Sequence, residues 1–196
     1  MSICVVFMDC DGVINSDDFL TEWIASHGDT KESMLEFKRS HCIHDGHDGY
    51  VVPELVGNLK SVCERTNCRI VWSSSWRENY LKKNPDSGDF FFDFKEIRSL
   101  WKAKGFPIEY FLDCTPCENC SRYSYVPRGV EIQMWIDANK ERYNIGRMAV
   151  LDDNEDAGIG LDCDDAKFFQ TTFKEGLTRR IADEVVEWLN NEGNEE

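Results

Sequence analysis

Two aspartates separated by one residue follow the first apolar run of the chain. The run extends from Ile3 to Met8, and the sequence then reads Asp9-Cys10-Asp11-Gly12. A second acidic pair, Asp152-Asp153, follows a later apolar run. Neighbouring carboxylates can serve as a nucleophile and a proton carrier, and several together can bind a cation. Either pair alone is equally compatible with an ordinary turn, because Asp and Gly favour turns.

Hydroxyl and cationic side chains accompany these acids. Ser73, Ser74 and Ser75 follow the apolar stretch Arg69–Trp72, and Arg128 comes just before a predicted helix that leads towards Asp152. Hydroxyl and guanidinium groups are common ligands of phosphoryl oxygens. For Arg77, which follows the serines, a surface position that caps its helix is an equal alternative, and we assign it no catalytic role.

Short apolar runs alternate with helical patterns, which predicts a doubly wound α/β sheet of three layers, because parallel strands need crossover helices. The residues after each strand then meet at one edge of the sheet. The predicted strands are Ile3–Met8, Arg69–Trp72, Ile108–Leu112, Arg147–Leu151 and Ala166–Gln170. The predicted helices are Pro53–Arg65, Phe94–Lys104, Val130–Tyr143 and Thr178–Leu189.

Crowded carboxylates at one edge require a cation. Asp9, Asp11, Asp152 and Asp153 would repel each other strongly if they were ionised without one. Ligation by oxygen alone, without His or Cys, favours Mg²⁺. Such a metal also shields a carboxylate that attacks a phosphate dianion. The sequence therefore predicts a magnesium-dependent site for phosphoryl transfer.

Four motifs follow one another along the chain: Asp9-Cys10-Asp11 after the first strand, the serines after the second, Arg128 before the fourth, and Asp152-Asp153 after it. In this order and on these elements they resemble the motifs of the haloacid dehalogenase-like (HAD) superfamily. The resemblance implies that Asp9 is the nucleophile that forms an aspartyl-phosphate. It implies that Asp11 is the general acid and base and that its backbone carbonyl also binds Mg²⁺. Asp152 and Asp153 correspond to the metal-binding pair.

The resemblance also assigns the phosphate ligands. Arg128 corresponds to the phosphate-stabilising cation, and Ser74 to the phosphate-binding hydroxyl, with Ser75 as the alternative. The branch that the chain resembles most is the group of small HAD domains associated with RNA-repair (Swiss Army Knife) proteins. The segments that carry this likeness are Trp72–Arg77, Arg128–Ile132 with Trp135, Val150–Asp153 and Gly176–Thr178.

The resemblance implies a HAD-like Rossmannoid fold with strand order 5-4-1-2-3 and a small cap insertion. We expect residues 1–190 to form this single domain and residues 191–196 to be a frayed acidic tail. The segment 15–49 interrupts the alternation, and we interpret it as an irregular insertion that forms a minimal cap. Segments 84–92 and 114–127 are expected to be irregular too.

The chain has nine cysteines and no visible targeting segment. We therefore expect reduced cysteines and a cytoplasmic protein. Cys114, Cys117 and Cys120 have zinc-like spacing, and Cys42, His41, His44 or His47 could supply a fourth ligand of a structural Zn²⁺. The alternative is that these are small buried cysteines and solvated histidines. Cys10 is expected to pack inward.

The net charge of −15 argues against long nucleic-acid duplexes and membranes as partners. We expect a phosphomonoesterase that acts on a nucleotide or on a phosphorylated nucleic-acid end, with Arg122 and Arg128 as a local positive rim. The alternatives are a phosphatase of another small metabolite, a phosphotransferase, or a non-catalytic acidic interaction module on the same fold. The presence of both Asp9 and Asp11 argues against the last.

Overall fold

The computed structural model of the protein describes residues 2–43, 49–83, 90–92, 94–117 and 125–191. In chain order the strands are β1 (Ile3–Met8), β2 (Arg69–Trp72), β3 (Leu81–Lys83), β4 (Phe90–Phe92), β5 (Phe111–Cys114), β6 (Ile145–Asp152) and β7 (Ala166–Gln170). The helices are α1 (Asp17–His27), α2 (Lys31–His41), α3 (Pro53–Thr66), α4 (Phe94–Ala103), α5 (Arg128–Asn139) and α6 (Arg179–Asn190).

Five parallel strands form the main sheet, in the order β5-β2-β1-β6-β7. Counted along the chain, this is 3-2-1-4-5, which is the predicted order 5-4-1-2-3 read from the other edge. The strand β1 lies at the centre, and its residues Val5 to Met8 have no exposed surface. A strand that is buried on both faces is apolar at every position, which is the pattern that the sequence shows. The predicted fold is therefore confirmed.

The two faces of the sheet are covered by different helices. Val6 and Met8 lie in one apolar cluster with residues of α3 and α6, such as Leu59 and Val185. Val5 and Phe7 point to the other face, into a cluster with residues of α5. The ring of Phe7 meets that of Trp135 edge to face at 5.4 Å. This alternation along one strand produces the three layers.

The insertion after β1 is helical rather than irregular, so this part of the sequence-based prediction is wrong. Thr30 is the N-cap of helix α2, and its hydroxyl accepts the Ser33 N–H in a capping box. Its Phe37 is buried against Tyr50 and Leu55. Helix α1 has no fully buried residue. The pair thus forms a small apolar cluster of its own beside α3, and residues 44–48 lie outside the described part.

Two further segments differ from the prediction. Strands β3 and β4 pair as an antiparallel two-stranded sheet, so Phe90–Phe92 is not irregular as predicted; residues 84–89 lie outside the described part. The predicted strand 108–112 starts with a 3₁₀ turn, because the Tyr110 N–H donates to the carbonyl of Pro107, and β5 begins only at Phe111.

Two expectations concern the ends of the chain and membranes. Of the predicted tail 191–196, only the exposed Asn191 is described. Within the described ranges, no helix is both long enough and apolar enough to cross a membrane.

Candidate active site

Backbone hydrogen bonds align the carboxyl ends of the neighbouring strands β1, β2 and β6. The Asp9 N–H donates to the Leu151 carbonyl at 2.9 Å, and the Ser73 N–H donates to the Met8 carbonyl at 2.8 Å. The residues that follow β1, β2 and β6 therefore leave the sheet at the same edge. This edge is the place where ligands bind in open α/β sheets.

Three carboxylates converge there. Asp9, Asp152 and Asp153 each offer an oxygen, and these oxygens lie within 4.8 Å of one another. No other such group of potential metal ligands occurs in the described part of the chain. Gly12 permits this approach, because its φ is +64° and a Cβ at this position would lie 2.6 Å from the Cβ of Asp153. The predicted convergence of these three acids is thus observed.

Burial makes this group electrostatically unfavourable without a cation. Burial raises the pKa of Asp9 to about 7, against the opposing effects of Arg128 and Ser74. Burial and the neighbouring Asp9 raise the pKa of Asp152 to about 8. Burial also raises the pKa of Asp153. Because a bound cation would relieve both the burial and the repulsion, the donor set fits a metal ion that prefers oxygen ligands.

A cavity of about 270 Å³ opens above the acidic group. Arg128 is the one cationic side chain that lines it in the described structure. No described residue of the α1–α2 insertion lines it. The lining residues are Asp9, Ser75, Tyr125, Arg128, Asp152, Asp153, Asn154 and Asp156.

The two candidate serines have different environments. Ser74 has no exposed surface, and its side chain is hydrogen-bonded to Asp9, which lowers the pKa of that acid. Ser75 is exposed and lines the cavity. Ser74 therefore contacts the candidate nucleophile, whereas Ser75 faces the space where a substrate would lie.

Asp11 lies close by, but its carboxylate is outside the group of three. One oxygen accepts a hydrogen bond from Nδ2 of Asn15 at 2.8 Å, and the other accepts one from Nε1 of Trp76 at 2.8 Å. Asn15 is buried, and its Oδ1 accepts the Gly12 N–H. The side chain of Asp11 is therefore held by the Asp9–Asn15 loop and by the segment after β2.

Arg77 is buried, so the alternative that places it on the surface is wrong. Its guanidinium is 1% exposed and forms an ion pair with Glu131, which is fully buried. It also donates to the carbonyls of Ser74 and Pro116, each at 2.9 Å. Glu131 in turn lies 3.5 Å from Nη1 of Arg128.

Glu131 was missed by sequence reasoning, although a signal was present. It precedes Ile132 on the face of α5 that points to the sheet, where a carboxylate is unexpected. Its partner Arg77 lies 54 residues away in sequence. A charged residue in a buried helical stripe indicates a buried partner of opposite charge.

The described residues contain no zinc site. Cys114 and Cys42 are buried in different apolar clusters, and neither belongs to a metal-binding group. Cys117 is disulfide-bonded, so the expectation that all cysteines are reduced is wrong for this residue. Of the other proposed ligands, His41 stacks on Phe37 and belongs to no metal-binding group, whereas Cys120, His44 and His47 lie outside the described residues.

Two further outcomes concern Cys10 and Arg122. Cys10 is fully buried, as expected, and its sulfur accepts the indole N–H of Trp72 at 3.0 Å. Arg122 lies outside the described residues, so of the predicted positive rim only Arg128 is seen at the cavity.

The parallel sheet with acidic residues at the ends of β1 and β6 defines a HAD-like fold. The sequence pattern of the family described as "HAD domain in Swiss Army Knife RNA repair proteins" matches residues 5–182. The chain therefore belongs to this family, and the predicted resemblance is confirmed.

No curated protein matches the sequence. Among solved structures, the chain is similar to the crystal structure of the Legionella pneumophila effector Ceg4 with an N-terminal yeast Hog1p sequence. The two share 15% identity over 96% of each chain, with a TM-score of 0.46. A likeness at this level carries no information on function.

Proposed function

We propose that the protein is a magnesium-dependent phosphomonoesterase that forms an aspartyl-phosphate on Asp9. The observation that carries this proposal is the shared cavity of Asp9, Asp152, Asp153 and Arg128. Three acids that fit a cation and one guanidinium together complement a phosphate dianion next to a carboxylate nucleophile. Membership of a HAD family supports a hydrolase of this type.

The proposed reaction has two steps. In the first, a carboxylate oxygen of Asp9 attacks phosphorus, the bond to the leaving oxygen breaks, and Asp11 gives that oxygen its proton. In the second, water attacks phosphorus, Asp11 takes the proton from the water, and Asp9 is released with inorganic phosphate. Because Asn15 and Trp76 hold the carboxylate of Asp11 in the structure, we infer that it must rotate towards the cavity to act.

The side chains of Asp9, Asp152 and Asp153, with the backbone carbonyl of Asp11, would hold Mg²⁺. The ion would offset the charge between the nucleophile and the phosphate dianion. Hard oxygen ligands favour Mg²⁺ over softer metals that take His or Cys ligands.

Ser74 and Ser75 have different roles in this proposal. Ser74, which is buried against Asp9, would orient the nucleophile. Ser75, which lines the cavity, is placed better than Ser74 to contact a phosphoryl oxygen. This assignment favours Ser75, which sequence reasoning held as the alternative to Ser74.

A nucleotide or a phosphorylated nucleic-acid end is the substrate class that we propose. Tyr125 lines the cavity and is 72% exposed, and its hydroxyl donates to Asp156. An exposed ring that is anchored at its hydroxyl end can stack on a base. The association of the family with RNA repair proteins supports the same class. A phosphatase of another small metabolite would have no need of this ring.

The test compares substrates that share a phosphate but differ in the base. Hydrolysis of a nucleoside monophosphate and of ribose 5-phosphate is measured with Mg²⁺ and with a chelator, in the wild type and in Tyr125→Leu. We expect activity only with Mg²⁺, and about a tenfold rise in KM for the nucleotide alone in Tyr125→Leu, as expected for the loss of one stacking contact. Equal effects on both substrates would contradict base stacking.

The same test also shows whether the wild type has Mg²⁺-dependent phosphomonoesterase activity at all. If the wild type hydrolyses no phosphomonoester in a broad panel with Mg²⁺, the proposed activity is wrong. A phosphotransferase or a non-catalytic interaction module on the HAD fold would then be the alternatives.

A further inference from the structure

A chain of buried charges leads from the interior of the protein to the cavity. Arg77 is 1% exposed, Glu131 is fully buried, and the side chain of Arg128 is 16% exposed. Both guanidiniums contact the same oxygen of Glu131, Oε2. Arg128 is the member that reaches the cavity.

Arg77 also ties this chain to the strand ends. Its Nη1 donates to the Ser74 carbonyl just after β2, and its Nη2 donates to the Pro116 carbonyl just after β5. Glu131 belongs to the first turns of α5, one helical turn after Arg128. The position of Arg128 is therefore linked to the edge of the sheet that carries the candidate nucleophile.

This arrangement is unusual for a purely stabilising contact. Buried ion pairs seldom contribute much net stability, because removing two charges from water offsets their attraction. Apolar residues of similar volume often serve stability equally well. A second arginine beside Arg128 also adds repulsion, and burial with this repulsion lowers the pKa of Arg77. Apolar packing would suffice for stability at this place. A role in positioning another side chain explains why a charged network is present instead.

We propose that Arg77 and Glu131 are positioning residues that hold the guanidinium of Arg128 against the phosphoryl group in the cavity. This inference rests on the proposed function of Arg128 as a phosphate ligand. Glu131 fixes Arg128 through the shared oxygen, and Arg77 fixes Glu131. Neither residue lines the cavity, so both act through Arg128.

The test replaces the whole buried pair, because removal of Glu131 alone would leave two buried arginines facing each other. The variant Arg77→Met/Glu131→Met removes both charges and keeps apolar volume, so the fold should be retained, which thermal unfolding verifies. If the pair positions Arg128, kcat/KM should fall by about 10²-fold, the usual scale for a misplaced active-site group. If the pair is merely structural, the folded variant should keep its activity.

A third substitution shows whether the effect passes through Arg128. In an Arg128→Ala background, the same double replacement should change kcat/KM by less than about twofold, because residues that act as a unit are not additive. Multiplicative losses would overturn the proposal. The control is Arg65→Gln/Asp183→Asn, an exposed ion pair between α3 and α6, which should leave kcat/KM unchanged.

Binding of inorganic phosphate separates this proposal from the proposed activity. Calorimetry with Mg²⁺ present should show about tenfold weaker phosphate binding in Arg77→Met/Glu131→Met, in line with a weakened charged hydrogen bond. If the wild type is inactive but its phosphate affinity depends on the pair, the activity is wrong and the positioning role stands. Unchanged phosphate affinity in the folded variant would overturn the positioning role.

Discussion

Replacement of Asp152 by Asn should stabilise the metal-free protein and remove its response to Mg²⁺. Asp152 is 4% exposed, and its pKa rises from 3.8 to about 8 because of burial and the neighbouring Asp9. An amide of the same shape avoids the cost of an ionised buried acid. Its Oδ1 can still accept the Asn154 N–H, which donates to Asp152 at 2.9 Å.

The size of the effect follows from proton linkage. An acid whose pKa is raised on folding contributes its full stability below its unfolded pKa, and this contribution is lost as the pH rises towards the folded value. Between the unfolded pKa of Asp152 and about pH 7 lie about three pH units, over which the free energy of unfolding falls by at most about 4 kcal/mol. The advantage of Asp152→Asn should therefore be small near about pH 4 and reach a few kcal/mol near about pH 8.

Urea unfolding at several pH values, with a chelator or with excess Mg²⁺, measures this difference. In the chelator, the free energy of unfolding of the wild type should fall relative to Asp152→Asn as the pH rises. Mg²⁺ should stabilise the wild type much more than the variant, because a ligand stabilises only the state that binds it. The control Asp164→Asn changes an exposed acid and should follow the wild type.

Two results would refute this reasoning. One is a variant that is less stable than the wild type in the chelator at about pH 8, which would mean that burial of Asp152 is not costly. The other is equal stabilisation of both proteins by Mg²⁺, which would place the metal elsewhere.

The other predictions concern Asp11, the serines and nucleic-acid length. Asp11→Asn should slow hydrolysis most for substrates with basic leaving groups; equal slowing across leaving groups would exclude Asp11 as the general acid. Ser75→Ala should raise KM, whereas Ser74→Ala should lower kcat; the reverse pattern in steady-state assays would exchange their roles. Asp9→Asn should bind a long oligonucleotide with little salt dependence, because one or two phosphates are contacted; steep salt dependence would indicate an extended nucleic-acid surface.

Local patterns in the sequence located the five strands of the main sheet, although not the ends of β5 and β6. Strands β1, β2 and β7 have the predicted ends; for β1 and β2 the reason is a run of apolar residues, which is characteristic of buried parallel strands. Helix α6 begins one residue after the predicted start, because Thr178 is its N-cap and its hydroxyl accepts the Ile181 N–H. The strand order followed from the family resemblance, and the convergence of Asp9 with Asp152 followed from the sheet.

Features that depend on partners distant in sequence could not be predicted in this way. Helix α1 was missed because it has no fully buried residue and thus no clear apolar stripe. The burial of Arg77 depends on Glu131, and the orientation of Asp11 depends on Trp76, 65 residues away. From sequence alone, a charged side chain is predicted to lie on the surface unless its partner is known.

The most direct test of the central claim is chemical detection of a phosphate on Asp9. The wild type is mixed with a labelled phosphate ester and Mg²⁺ and quenched in acid during turnover, and the peptide that contains residue 9 is analysed by mass spectrometry. The account predicts an acyl phosphate on Asp9 that is absent in Asp9→Asn and without Mg²⁺. Turnover without labelling of Asp9, or activity that persists in Asp9→Asn, would contradict it.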